Sequence, residues 1–220
     1  MAFFTPAFVS FFRDLSKNNT TEWFNEHRKT YEKEVKAPFA SFVEEMIARI
    51  RKHEPNIDIK PADAIARINK DIRFSKDKIP YNTHVAANIS KYGKKDKAYP
   101  GFFFQLGRDG IKIYGGAYAP EKEQLEKLRK LVAKEATALD KTLNEKNFIK
   151  RFGAMQGEKA KRLDPALNAL VEKQPLVANK QFCFTASLPK EWITSEKLAD
   201  ELMFHYEVGR PLNAFLQRAF

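Results

Sequence analysis

The chain has 220 residues, is 43% hydrophobic and 30% charged, and carries a formal net charge of +11, which is typical of a globular protein with a sizeable core. One cysteine, Cys183, excludes an intrachain disulfide and a Cys-x-x-Cys metal site, so we expect a reducing, cytoplasmic location. No apolar run is long enough to cross a bilayer, and we therefore expect no membrane partner.

Amphipathic helices open the chain. No Lys or Arg precedes the first apolar run, which argues against a signal peptide, and the apolar periodicity predicts a helix over residues 5–16. A longer helix is predicted over 24–50, where apolar residues recur every three or four positions. Pro38 removes an amide donor and is expected to kink or split this helix near Ala37. Asn19 with Glu22 matches a capping box at its start.

The rest of the chain alternates between strand and helix patterns. Glycines at both ends of the turn 107–110 predict a β-hairpin, and Pro120 followed by glutamates predicts the start of a helix. Strands are predicted over 64–69, 99–106, 111–118 and 181–188, and helices over 120–139, 139–152, 165–172 and 194–220, the last interrupted near Gly209. These elements predict one α+β domain over residues 1–220, in which helices cover a mainly antiparallel sheet.

Positive charge is concentrated in two parts of the sequence. Residues 60–97 contain ten Lys and Arg against four Asp, and residues 141–162 contain seven against two acids. Clusters of this kind favour an anionic partner, either a small molecule or nucleic acid, although single surface lysines are usually only solvated. No oligomeric state is specified by the sequence.

Residues 67–81 combine charged and aromatic residues at high density and read RINKDIRFSKDKIPY. This segment resembles the signature RxxRDxRFxxDKxPY of a widespread bacterial family, DUF2461. Lys70 stands where the signature has arginine, which keeps the charge but loses the planar guanidinium. The matching residues are Arg67, Asp71, Arg73, Phe74, Asp77, Lys78, Pro80 and Tyr81.

The resemblance extends over nearly the whole chain. Residues 18–32 are similar to the family's N-terminal Asn-Asn-x-x-x-Trp-Phe helix, residues 115–129 to its glycine-to-helix junction, and the ending RPLNAFLQRAF to its closing helix. Membership would imply a single-domain α+β fold. It would imply no reaction, because the family's function is uncharacterised.

The leading hypothesis for residues 67–84 is a site for a phosphate- or carboxylate-bearing small ligand. In an extended strand Arg67, Asp71 and Arg73 share one face, where Asp71 could hold both guanidinium groups and leave donors for an oxyanion. If the protein is an enzyme, His84 is the first candidate for proton transfer and Tyr81 the second. Ligand-binding roles are predicted for Arg67, Lys70, Arg73, Ser75 and Lys78, and orienting roles for Asp71 and Asp77.

Two other interpretations stay open. The charged pairs of the signature could be structural ion pairs that fix a loop, with Phe74 and Tyr81 in the core. Alternatively, the protein is a basic nucleic-acid-binding module. Phosphates would then be bound by Lys91, Lys94, Lys95 and Lys97, and bases would stack on Tyr92, Tyr99 and the strand with the phenylalanines at 102–104; for these phenylalanines, a position in the core is the favoured expectation. For Gly115 and Gly116, a bulge or close strand packing is favoured over a ligand-binding role, because no phosphate-loop pattern is present.

Metal and nucleophile chemistry have little support in the sequence. The four histidines show no metal-ligand spacing, and no GxSxG motif is present. Cys183 lies in an apolar predicted strand, where a thiol is usually inert. We therefore expect neither a metal nor a cofactor.

Overall fold

The computed structural model describes residues 1–73 and 78–220. Four strands form one antiparallel sheet in the order β1-β2-β3-β4, with β1 at His84–Ile89, β2 at Phe102–Gly107, β3 at Gly110–Ala117 and β4 at Phe182–Leu188. The helices are α1 Pro6–Lys17, α2 Thr21–Glu26, α3 Arg28–Thr30, α4 Ala37–Arg51, α5 Pro61–Ala64, α6 Lys122–Lys134, α7 Ala136–Leu143, α8 Lys146–Phe152, α9 Pro165–Lys173 and α10 Leu198–Gln217. Across the part of the chain described, no helix is both long enough and apolar enough to span a membrane.

One face of the sheet carries the hydrophobic core. Side chains alternate between the two faces along each strand, and on the core face Phe104 of β2 is fully buried. Its ring contacts Phe39 and Phe42 of α4, with centroid distances of 6.1 and 5.8 Å. Phe102 contacts Tyr206 of α10 at 5.7 Å. The predicted α+β fold with an antiparallel sheet and surrounding helices is confirmed.

The opposite face of the sheet is less covered, and we call it the open face. Apart from Ala86, which is buried, most of its side chains are half-buried or exposed, in contrast to their neighbours along each strand. They are His84 and Asn88 of β1, Phe103 and Gln105 of β2, Lys112 and Tyr114 of β3, and Cys183 and Thr185 of β4. The expectation that all three phenylalanines at 102–104 lie in the core is therefore wrong for Phe103, because strand geometry turns it away from its two neighbours.

The helix predicted over 24–50 is divided. Between α3 and α4 lies a π-helical turn at Tyr31–Lys36, and Pro38 lies in the first turn of α4. A proline lacks the amide donor and its ring clashes with the preceding helical turn, so a wider turn relieves the conflict. The disturbance expected at Pro38 thus takes the form of a widened helical turn just before it.

The strand predicted over residues 64–69 is not regular: Ala64 is the last residue of α5, and residues 65–69 form an extended segment with isolated bridges from Ile65 to Ala87 and from Asn69 to Tyr81. Ile65 and Asn69 are four positions apart, whereas their bridge partners Ala87 and Tyr81 are six positions apart. The segment from Tyr81 to Ala87 therefore carries two extra residues. Such a bulge interrupts the ladder. The regular strand beside it, β1, was not predicted from the sequence.

The interruption predicted near Gly209 is also wrong, since α10 continues to Gln217 with Pro211 inside it. The Asn213 side chain of this helix accepts a hydrogen bond from the Gly116 N–H of β3 at 2.8 Å and donates one to the Gly101 carbonyl at 3.0 Å. These contacts tie α10 to the sheet. Tertiary packing of this kind offsets the unfavourable proline.

Candidate functional site

A cavity of about 380 Å³ lies on the open face of the sheet; we call it the open-face cavity. Phe103, Gln105 and Tyr114 of the two middle strands contribute to its floor. The outer strands add Asn88 and Cys183, and the loop before β2 and the residue after β3 add Lys94, Lys97, Tyr99 and Tyr118. The cavity is thus built from side chains that strand alternation turns away from the core.

Aromatic rings dominate this lining. Phe103 and Tyr114 are directly opposed in the β2–β3 ladder, and their rings meet edge to face with centroids 5.4 Å apart. Tyr99 is half-buried and is held by the Tyr92 ring at 5.0 Å, whereas Tyr118 is 64% exposed. The floor is therefore a preformed aromatic surface, and Tyr118 lies at its exposed margin.

Two lysines in the lining differ in their hydrogen bonding. Lys94 donates from Nζ to the carbonyl oxygens of Ala62 and Ile65, at 2.6 and 2.9 Å, so its ammonium group fixes the segment before β1. Lys97 is exposed and makes no side-chain hydrogen bond or ion pair within residues 1–73 and 78–220. Its positive charge is therefore available to a ligand.

Polar groups and a thiol complete the lining. The Asn88 amide donates to the Gly93 carbonyl at 2.8 Å, while the Gln105 amide makes no hydrogen bond to any residue that the structure describes. Burial raises the pKa of the Cys183 thiol to about 11. The thiol is therefore neutral near pH 7 and unsuited to nucleophilic attack.

The glycines of the lining have packing roles. A Cβ at Gly115 would run into the Phe184 ring, and one at Gly116, which has φ +91°, would run into the Phe182 carbonyl. At Gly101, a Cβ would lie 2.6 Å from the Ser90 side chain. Close strand packing, predicted for Gly115 and Gly116, is confirmed.

The cations of the signature segment lie at the surface. Arg67, Lys70, Arg73 and Lys78 are all exposed, and so are not sealed in a buried ion-pair network. Lys78 donates from Nζ to the Ile72 carbonyl at 3.0 Å. Two predicted site residues, Ser75 and Asp77, and also Phe74, fall outside the residues described.

Asp71 and Arg73 form the ion pair that the sequence suggested. The guanidinium donates from Nε and Nη2 to the two carboxylate oxygens at 2.9 and 2.7 Å, and this lowers the pKa of Asp71, with a smaller contribution from Arg67. The two residues are only two positions apart. Their pair therefore cannot by itself fix the segment to the rest of the domain.

Tyr81 lies on the core side of the molecule. It is 5% exposed, and its ring stacks on Phe24 with centroids 4.0 Å apart. Asn19 binds its backbone twice: the side-chain amide donates to the Tyr81 carbonyl at 2.9 Å and accepts from its N–H at 3.1 Å. The capping box predicted at Asn19 is wrong, because the N-cap of α2 is Thr20, which accepts from the Trp23 N–H.

His84 lies on the open face, on the same side as Asn88 but about 13 Å along β1 at the usual rise per residue. Its half-buried ring has a lowered pKa, first because of burial and then because of Lys112 and Lys70, while Asp109 acts in the opposite direction. The imidazole is therefore neutral near pH 7. Lys70, His84 and Lys112 together form what we call the basic edge of the open face.

No pattern in the sequence assigns Phe103, Gln105, Tyr114 or Lys97 to a small-ligand site. Period-2 alternation of β2 and β3 could have indicated the first three, since the hairpin was predicted and their neighbours are apolar. Lys97 has no local signal, because its position at the cavity depends on how the loop before β2 folds. No three His, Cys, Asp or Glu side chains among the residues described form a group that could hold a metal ion.

Fold and cavity together define the class of protein: an antiparallel sheet with helices packed on one face, and a cavity of small-molecule size on the less covered open face. The family model for the conserved hypothetical proteins DUF2461 matches residues 7–215, and the chain belongs to this family. No curated protein and no solved structure matches the chain.

Proposed function

We propose that the protein binds a phosphate- or carboxylate-bearing small ligand in the open-face cavity. The observation that carries this proposal is the Lys97 ammonium group, which has no partner within the described ranges and lines a cavity with an aromatic floor. A volume of about 380 Å³ falls within the range of about 300–1,000 Å³ typical of small-molecule sites. An exposed cation beside a preformed apolar surface favours a ligand with one anionic group.

The exposed cations outside the cavity would assist binding at longer range. The excess of positive charge in residues 60–97 includes the charges of Arg67, Lys70, Arg73 and Lys78. Such an excess raises the local concentration of an anion. Direct contacts from these residues to the ligand stay predictions, as does proton transfer by His84. Its neutral imidazole is in the form that accepts a proton.

Calorimetry and thermal-shift measurements with phosphate, sugar phosphates and small carboxylates test the proposal. Lys97→Gln should weaken binding of these anions about ten-fold, because it removes one charge-assisted hydrogen bond. Lys95→Gln is the matched control, since Lys95 is exposed nearby and does not line the cavity. Absence of binding by every anion, or an equal effect of the two substitutions, would contradict the proposal.

Binding of single-stranded nucleic acid is the second candidate. It is favoured by the position of Phe103 and Tyr114 on adjacent middle strands of an uncovered face, where bases could stack. Fluorescence anisotropy with a twelve-nucleotide RNA and DNA across a salt series separates the two candidates. Affinity that decreases steeply with salt, together with weaker binding by the Phe103→Leu variant, would favour nucleic acid.

A further inference from the structure

We propose that the ligand carries a heterocyclic ring joined to its anionic group, as in a nucleoside monophosphate or a pyridine carboxylate. This rests on the proposed function, because it assigns the ligand class of the same cavity. Three features of the lining support it: the aromatic floor, an amide without a partner among the residues described, and the position of the lysine.

The aromatic floor provides a seat for a flat ring. Phe103 and Tyr114 already meet edge to face, so a third ring can lie against them without rearrangement of the strands. Tyr99 and Tyr118 add aromatic surface beside the floor. Rings attract one another in stacked and edge-to-face geometries, and a floor of this composition favours a flat ring over a flexible aliphatic chain.

The Gln105 amide distinguishes a heterocycle from a hydrocarbon ring. It is half-buried in the cavity lining and makes no hydrogen bond to another described residue. Its two cross-strand neighbours are Ala86 and Lys112. A primary amide offers donors and an acceptor together, and a ring with nitrogen or carbonyl groups along its edge would satisfy both. A hydrocarbon ring would bury the amide unpaired.

Lys97 places the anionic group. Its backbone is held beside the aromatic margin, since the Tyr118 N–H donates to the Lys97 carbonyl at 3.3 Å, while its side chain is exposed. A ligand whose ring lies on the floor would therefore extend its charged group toward solvent and this ammonium. The cavity volume suits one such molecule and not a stack of several rings.

Isothermal titration calorimetry at constant ionic strength tests the ligand class. The heterocyclic anions are the four ribonucleoside 5′-monophosphates and nicotinate. Ribose 5-phosphate supplies the anion without an aromatic ring, and benzoate supplies an aromatic ring without heteroatoms in it. We expect at least one ring-bearing heterocyclic anion to bind about ten-fold or more tighter than both of these references. Equal affinity for ribose 5-phosphate would overturn the ring assignment and leave the proposed function standing. Binding by none of the compounds would overturn both.

Substitutions assign each part of the ligand to its contact. Phe103→Leu should weaken the tightest heterocyclic anion by about five-fold or more and leave ribose 5-phosphate unchanged. Phe204→Leu is the control, because it makes the same substitution at a phenylalanine that is 38% exposed on α10 and does not line the cavity. Gln105→Met, which keeps the shape and removes the amide, should bring heterocycles to the affinity of benzoate. Unchanged discrimination in Gln105→Met, with native far-UV circular dichroism, would show that the amide does not recognise the ring.

Discussion

At the scale of single residues, Asn19 shows how one side chain joins distant parts of the chain. Its amide makes two hydrogen bonds to the backbone of Tyr81, 62 positions away. These bonds bring the Asn-Asn stretch to the end of the signature segment. The two stretches that carry the family resemblance are therefore in direct contact, which neither stretch indicates alone.

Asn19→Ala should lower the free energy of unfolding by about 2 kcal/mol, because two partly buried hydrogen bonds of about 1 kcal/mol each are lost. Urea denaturation measures the change. Asn18→Ala is the control, since the Asn18 side chain donates, among the residues described, only to the nearby Asp14 carbonyl at 3.0 Å. A loss in Asn19→Ala no larger than that of the control would show that the contact does not hold the segment.

His205 is expected to make stability depend on pH. The ring is 1% exposed; burial lowers its pKa, as does Arg151 to a smaller extent, while hydrogen bonding to the Glu201 carbonyl and the Glu201 charge act in the opposite direction. Since the folded-state pKa lies below the unfolded value of about 6.5, the unfolded chain binds the proton first. Stability should be full above pH 6.5 and fall as pH decreases, by at most about 1.4 kcal/mol per pH unit.

Urea unfolding at pH 7.5, 6.5 and 5.5 measures this dependence. His205→Gln cannot titrate and should flatten the decrease, even where its stability at pH 7.5 is lower. His84→Gln is the comparison, because His84 also has a lowered pKa. If the free energy of unfolding of His205→Gln decreases with pH as steeply as that of the wild type, the pH dependence arises from groups other than His205.

At the scale of elements, the C-terminal helix shows packing prevailing over local propensity. Gly209 lies inside α10, where glycine is unfavourable by about 1 kcal/mol relative to alanine. A Cβ at this position would lie 2.7 Å from Cε2 of Phe184, a buried ring held between Phe148 and Phe152. The glycine is what lets α10 approach β4 so closely.

Gly209→Ala should therefore destabilise the protein by about 1–2 kcal/mol, although alanine is the better helix former, because the added methyl overpacks the core. Thermal and urea unfolding measure the change. Ala214→Gly is the control. Because Ala214 is exposed on the same helix, this substitution measures the difference in helix propensity between alanine and glycine without a change in core packing. Stabilisation by Gly209→Ala would show that the ring moves aside without penalty.

Elements were predicted from the sequence with unequal success. Strands β2, β3 and β4 were identified because alternation and turn glycines are local signals. Strand β1 was missed and residues 64–69 were assigned in its place. The chain around Tyr81 carries a bulge, and which of two extended segments forms the regular ladder depends on pairing with β2, a contact between distant residues.

At the scale of the whole molecule, the net charge of +11 acts on the folded state as self-repulsion, which salt screens. Raising sodium chloride from 20 to 200 mM should therefore increase the melting temperature slightly. Sodium phosphate at the same ionic strength should increase it further, because a bound anion stabilises the folded state. Scanning fluorimetry measures both. Equal shifts with the two salts would indicate screening alone, and Lys97→Gln should remove only the additional effect of phosphate.

The sequence by itself determined the α+β class, the hairpin, the amphipathic helices and the excess of positive charge, because each depends on residue types at short spacing. Only the tertiary structure decided that Tyr81 packs in the core, that Phe103 faces away from it, and that Lys97 and Gln105 meet at one cavity. Which side of a sheet the helices cover is a choice among contacts between distant residues. The alternating pattern of hydrophobic residues along a strand is compatible with helices on either face of the sheet, and the packing of the helices decides between the two.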